Sequence, residues 1–167
     1  MGPIRRAEIV AVGSELLTAH RLDTNSLFLT GRLNDLGIVV RSKAVVGDDR
    51  DDLAAIFRAA HARADLVIVT GGLGPTDDDL TREVVAGELG LPLSVQAAVL
   101  ASIRERFDRR GVSMPAINQR QAMVPQGADA LANPNGTAPG LWIDVAGRVV
   151  VLLPGPPREL QPMFEAA

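Results

Sequence analysis

Three consecutive aspartates, Asp77, Asp78 and Asp79, directly follow a glycine-rich turn, Thr70-Gly71-Gly72-Leu73-Gly74-Pro75-Thr76. Backbone N–H groups in such a turn cradle phosphate oxygens, helped by the positive end of the helix that follows. Carboxylates placed beside a phosphate repel it unless a divalent metal bridges the two. The chemistry this pairing points to is binding of a phosphate through a bridging divalent metal. The turn is not a Walker A loop, because no Gly-Lys-Ser/Thr follows. It also lacks the third glycine of a dinucleotide fingerprint. The plainer alternative is a tight strand-to-helix turn, with Asp77 and Asp78 as first-turn acids favoured by the helix dipole. Asp79 lies deeper, and the Thr81 hydroxyl can bond within the same turn.

Other segments carry weaker signals. Asp48 ends a strand-like run, where a helix N-cap is the ordinary role. Gly13-Ser14-Glu15 follows the first strand and offers one acid. Asn133-Pro134-Asn135-Gly136-Thr137-Ala138-Pro139-Gly140 is dense in turn formers, with backbone donors that can touch a ligand. Leu153-Pro154-Gly155-Pro156-Pro157 again joins a strand to a helix and can form a second anion nest. His61 sits in an alanine-rich helix and reads as a surface residue. No serine stands at a Gly-x-Ser-x-Gly elbow. Trp142 reads as packing.

These loops need a scaffold. Ala7 to Val12 is a first strand. Asp23-Thr24 caps a helix through Leu27, Phe28, Leu33 and Leu36, ended by Gly37. Ile38 to Val46 is a second strand, and Asp48 or Asp49 caps a helix that runs to about Arg63. Asp65 to Val69 is a buried parallel strand. A helix from Thr81 closes near Gly90. Another runs from about Val95 to Arg110, and Pro115 opens a short one. Gly140 to Val145 and Arg148 to Leu153 form a hairpin around Ala146-Gly147. Arg158 to Glu165 is the last helix. Alternating strands and helices predict a three-layer α/β/α fold, with a mostly parallel central sheet and an edge hairpin. Ligands bind such sheets at the carboxyl ends of the strands, where the loops Gly13-Ser14-Glu15, Gly47-Asp48-Asp49, the Gly71 turn and Pro154-Gly155 fall.

With 167 residues, 47% hydrophobic and 22% charged, the chain reads as one domain with a real core. No apolar stretch approaches the roughly 18 residues a membrane helix needs. The first residues show no signal-peptide pattern, so a cytoplasmic protein with no membrane partner is expected. There is no cysteine, which excludes disulfides, thiolate catalysis and Cys-based zinc sites. A net charge of −3 with four Phe, one Trp and no Tyr argues against a nucleic-acid surface.

Taken together, several segments carry a resemblance. They are Ala11-Val12-Gly13-Ser14-Glu15-Leu16-Leu17, Asp23-Thr24-Asn25, Val46-Gly47-Asp48, Thr70 to Thr81, Met114-Pro115 with Asn118 and Gln121-Ala122, Pro125 with Gly127-Ala128, Asn133 to Gly140, and Leu153 to Pro157. From about Ala7 to Phe164 the chain resembles the N-terminal domain of competence/damage-inducible protein A (CinA). That domain belongs to the molybdopterin-binding superfamily, with MogA, MoaB and the gephyrin G domain. The resemblance implies the three-layer fold and one domain over residues 1–167. It also implies a dimer or trimer, and a nucleotide or pterin as ligand.

CinA-like members are associated with hydrolysis of ADP-ribose to AMP and ribose 5-phosphate, and related domains with FAD hydrolysis. Cofactor-branch members bind molybdopterin, and some adenylylate it with Mg-ATP. The two acids of the MogA branch fall on Asp48 and Asp79, which become the expected catalytic residues. Asp48, Asp78 and Asp79 become the expected holders of Mg²⁺, Mn²⁺ or Co²⁺. Gly13, Ser14, Glu15, Thr70, Gly71, Gly72, Gly74, Thr76, Asn133, Gly136, Thr137, Pro154 and Gly155 are the expected ligand contacts. Leu73 replaces the threonine usual in MogA-like members, which fits the CinA branch. Ala19 stands where CinA-like members usually carry glycine. A metal-dependent hydrolase of a phosphoanhydride is the leading expectation. A molybdopterin-binding or adenylyl-transfer protein, or a non-catalytic ligand-binding domain, is the alternative.

Overall fold

The computed structural model describes residues 2–167. Strands β1 (Arg6–Val12), β2 (Val39–Val46), β3 (Leu66–Thr70), β6 (Asp129–Leu131), β7 (Gly140–Val145) and β8 (Arg148–Leu153) form one sheet in the order β2-β1-β3-β8-β7-β6. β1, β2, β3 and β8 pair in parallel. β7 runs against both of its neighbours, so β6 points the same way as β8. The hairpin β7–β8 is built into the sheet: β8 pairs with β3, and β6 extends the sheet beyond β7. β6 and a separate antiparallel pair, β4 (Leu93–Val95) with β5 (Met123–Pro125), carry no sequence signal strong enough to predict. At three residues each, they are too short to show a period.

Every residue of β3 is buried, as a central strand requires. Its side chains alternate between two cores. Val67 and Val69 pack with Phe57, Leu53 and Val84 under the helices α2 (Arg50–Arg63) and α3 (Thr81–Glu88). Leu66 and Ile68 pack with Leu29, Leu33, Leu160 and Met163 under α1 (Thr24–Asp35) and α5 (Pro157–Ala166). The two cores make the three layers.

Local signals set the helix ends. Asp23 accepts from Ser26 N at 3.0 Å and starts α1. α2 is capped by Asp49, whose Oδ1 accepts from the N–H groups of Asp51 (2.9 Å) and Asp52 (3.0 Å). Asp48 is therefore released from the capping role its position suggested. α3 begins only at Thr81 and has no side-chain cap, so Asp77 and Asp78 precede the helix rather than form its first turn. The helix expected from Val95 starts two residues later as α4 (Ala97–Asp108), because Leu93–Val95 is drawn into pairing with β5. Pro115 precedes a 3₁₀ segment, Ala116–Ala122. His61 is half-buried, stacked on Phe57 at 5.6 Å between ring centroids, and is not the free surface residue expected.

Candidate functional site

β2 lies on one side of β1 and β3 on the other, so the chain changes direction across the sheet between β1 and β3. Loops diverge at such a switch point and leave a crevice at the carboxyl ends. An open cavity of about 540 Å³ lies there, the size of a nucleotide site. Loops from β1 (Gly13, Glu15), β2 (Asp48), β3 (Gly71 to Gly74, Asp78, Asp79), β6 (Asn135 to Ala138) and β8 (Pro154, Gly155) line it.

Gly71 opens the glycine loop with φ +91°, and a Cβ there would strike the carbonyl oxygen of Val12. Only glycine lets the loop pass this close to β1. The Gly71 N–H continues the β3–β8 ladder by donating to Leu153 O at 2.9 Å, so it is not available to a ligand. The N–H groups of Gly72, Leu73 and Gly74 have no intramolecular acceptor among the described residues. The Thr81 hydroxyl donates to Gly71 O at 2.8 Å, reaching back across the whole loop. Beneath the loop, the fully buried Arg82 donates to Leu73 O at 2.9 Å. Burial holds its guanidinium below the ordinary arginine range, against the opposing pull of Glu83 and Asp79. Arg120 braces the outer side through Thr76 O (3.0 Å) and Asp77 (3.0 Å).

The two expected catalytic acids are anchored alike. Asp48 Oδ2 accepts from Ser14 N at 2.8 Å, while Asp48 N donates to Ser14 Oγ at 3.0 Å. Asp79 Oδ2 accepts from Thr76 N at 2.9 Å and from the Thr76 hydroxyl at 2.6 Å. In each case one oxygen is held by the protein, and Oδ1 has no donor among the described residues. Among the described residues no group of three acidic or histidine side chains gathers as a finished metal cage. Mg²⁺-type ions commonly use one or two carboxylates plus substrate phosphates and water. Asp48 and Asp79, each with a free oxygen in the same cavity, fit that kind of ion; Asp78 and Glu15 line the cavity beside them.

Of the expected contacts, Gly13, Glu15, Gly71, Gly72, Gly74, Gly136, Thr137, Pro154 and Gly155 line the cavity. Ser14, Thr70, Thr76 and Asn133 do not. Ser14 and Thr76 orient the two acids, and Thr70 is buried in β3. Asn133 shapes its loop by accepting from Gly136 N (2.8 Å) and donating to Ala138 O (2.8 Å) and Glu159 (2.8 Å). Asn25 Nδ2 donates to Gly155 O at 2.7 Å and fixes the loop after β8. Arg106, Arg110, Gln121, Arg158 and Glu159 also line the cavity and were missed. They sit on helices and turns far along the chain, and no local spacing marks them.

Residues 8–167 match the model of the family described as "Probable molybdopterin binding domain". A CinA-like protein of Solibacter usitatus is 54% identical over 159 residues, covering 95% of this chain and 38% of the relative. A CinA-like protein of Koribacter versatilis is 53% identical over 162 residues, covering 95% and 39%. The chain thus spans about two fifths of the length of these relatives. The crystal structure of the protein CinA with unknown function from Thermoplasma acidophilum superposes with TM-score 0.90 at 36% identity, over 97% of this chain and 96% of that one. The tungsten cofactor synthesizing protein MoaB from Pyrococcus furiosus superposes with TM-score 0.60 at 20% identity, over 99% and 91%, and shares the fold.

Proposed function

Because the chain belongs to the family of probable molybdopterin binding domains, alongside CinA-like proteins, we propose that it hydrolyses a nucleotide phosphoanhydride of the ADP-ribose type. One observation carries this reading. Three unpartnered N–H groups, those of Gly72 to Gly74, share a cavity with two carboxylates that each keep a free oxygen. Gly72, Leu73 and Gly74 bind the non-bridging oxygens of one phosphoryl group. Asp48 and Asp79 are the residues that would hold a divalent metal, with Asp78 or Glu15 in reach. When bound, such an ion supplies charge neutralisation and lowers the pKa of water.

Ser14 and Thr76 fix the two carboxylates, so little reorganisation is needed when the ligand arrives. The attacking water gives its proton to solvent. The water oxygen forms a bond to phosphorus, and the bond from phosphorus to the bridging oxygen breaks. That oxygen leaves with the other phosphate, giving two phosphate monoesters. The Asn133 to Ala138 loop, fastened to α5 by Asn135 Nδ2 on Arg158 O (2.7 Å), flanks the nucleoside or sugar. Homo-oligomerisation belongs to the same reading and is supported by the exposed Leu17, Leu22 and Leu27 near α1. Sedimentation tests it.

The experiment for the activity is release of AMP from ADP-ribose with Mg²⁺, Mn²⁺ or Co²⁺. Turnover in at least one of them is expected, and none in any sinks the reading. The family's own description favours a second reading, a pterin-binding or adenylyl-transfer domain, which predicts pterin binding without hydrolysis. The relatives' greater length leaves a third, a ligand-binding domain whose catalytic partner lies elsewhere in a longer protein. Nucleotide binding without metal-dependent turnover would support it. Among the described residues no helix is long and apolar enough to cross a membrane. A cytoplasmic location remains part of the proposal.

A further inference from the structure

The cavity is polarised along the sheet edge. Glu15, Asp48, Asp78 and Asp79 belong to the loops after β1, β2 and β3. Arg158 follows β8, and Arg106 reaches from α4 to donate to Pro134 O, at 2.8 Å, in the loop after β6. Arg110 stands one helical turn beyond Arg106 and lines the same cavity. The loops bearing Asp48 and Arg158 are three strand steps apart, which is about 14 Å at ~4.8 Å per step. None of the three arginines pairs with a carboxylate among the described residues, although five carboxylates line the cavity. Arg106 Nε is buried without a partner. The one acid on this side, Glu159, is held by Asn133 Nδ2 and is nearly buried.

We propose that Arg106, Arg110 and Arg158 form a second anion subsite, which takes a phosphate monoester without a metal. It rests on the reading that the scissile anhydride lies at the glycine loop, and it receives the departing half of that substrate. The physical reason is the sign of the field. At the acidic half an anion needs a counter-ion, whereas guanidiniums bind phosphate directly and with two parallel donors. Charge developing on the bridging oxygen as its bond to phosphorus breaks then meets positive charge. The product leaves from a place where no metal holds it.

The test is calorimetric titration of this chain with ribose 5-phosphate and, separately, with AMP, in EDTA. Binding of at least one without metal is expected. Arg110→Ala/Arg158→Ala, at exposed positions, weakens it about tenfold or more. Asp48→Asn/Asp79→Asn leaves it intact or tightens it. Binding of both only when Mg²⁺ is present, binding unchanged in the arginine variant, or no binding at all overturns the subsite. Metal-free binding without ADP-ribose turnover retires the hydrolase reading alone, and turnover without metal-free binding retires the subsite alone.

Discussion

At the amino ends of the parallel strands, Asp65 accepts from the N–H groups of Arg5 (3.1 Å) and Arg6 (2.9 Å) and from the Arg6 guanidinium (2.9 Å). Glu8, buried in β1, is met by Arg63 at the end of α2. Arg148 Nη1 donates to His61 O at 2.5 Å. At the carboxyl ends, Asp48 and Asp79 meet only neutral donors, and each keeps an oxygen free. The same residue types therefore do two jobs on one sheet. At the amino edge each of these charges has a partner and supports the fold. At the carboxyl edge Asp48 and Asp79 are positioned by neutral donors and make no ion pair among the described residues, the arrangement that makes room for a charged ligand.

The sharpest way to break this contrast is to neutralise the free carboxylates. Asp79→Asn and Asp48→Asn should each lower ADP-ribose turnover by about 10²-fold or more, a typical cost of losing one electrostatic catalytic group. Their unfolding midpoints should stay near the parent's, because the amide oxygen still accepts from Thr76 or Ser14. Steady-state assays paired with thermal melts measure both. A large fall in melting temperature with modest loss of turnover would make these acids structural, like those of the other edge. Gly71→Ala comes next. With φ +91° and Val12 O in the way, it should cost about 3 kcal/mol in a denaturant titration. A neutral result would mean that the loop has slack, and that its N–H groups are not held in place.

The amino edge should answer in stability and not in turnover. Arg63→Ala leaves the buried Glu8 carboxylate without its cation, so the unfolding midpoint should fall while kcat and KM hold. The smallest effects are pH-dependent. Arg6 holds the Asp65 carboxyl down at about 2. A depressed carboxyl stabilises above its unfolded pKa of about 4, and the contribution drains away as pH falls toward 2. Asp65→Asn should remove that part of the acid limb in urea titrations. Burial, then Arg148, pushes His61 below its ordinary value. Folding then favours the neutral ring, so stability is whole above about 6.5 and declines as pH falls below it. His61→Gln should flatten that slope.

Much of this was available from the chain read in order. β-branched runs before glycine turns marked β1, β3 and β8, because a buried parallel strand needs little more than apolar continuity and a stop. Asp23 and Gly37 marked both ends of α1 through bonds that close within a few residues. The glycine loop was legible as a strand-to-helix turn for the same reason. Family resemblance picked out Asp48 and Asp79 as a pair, which spacing alone did not.

Tertiary structure decided the rest. Whether Asp48 or Asp49 caps α2 depends on Ser14, 34 residues away, which engages Asp48 and leaves the cap to Asp49. The three arginines opposite the acids come from α4, the turn after it and the start of α5, and only the sheet order gathers them. β4 exists because Leu93 finds Pro125, a partner outside any local window. Sequence determines what is closed by bonds between near neighbours. The polarity of the cavity is a sum over loops that meet only after the sheet has assembled, so no stretch of the chain carries it alone.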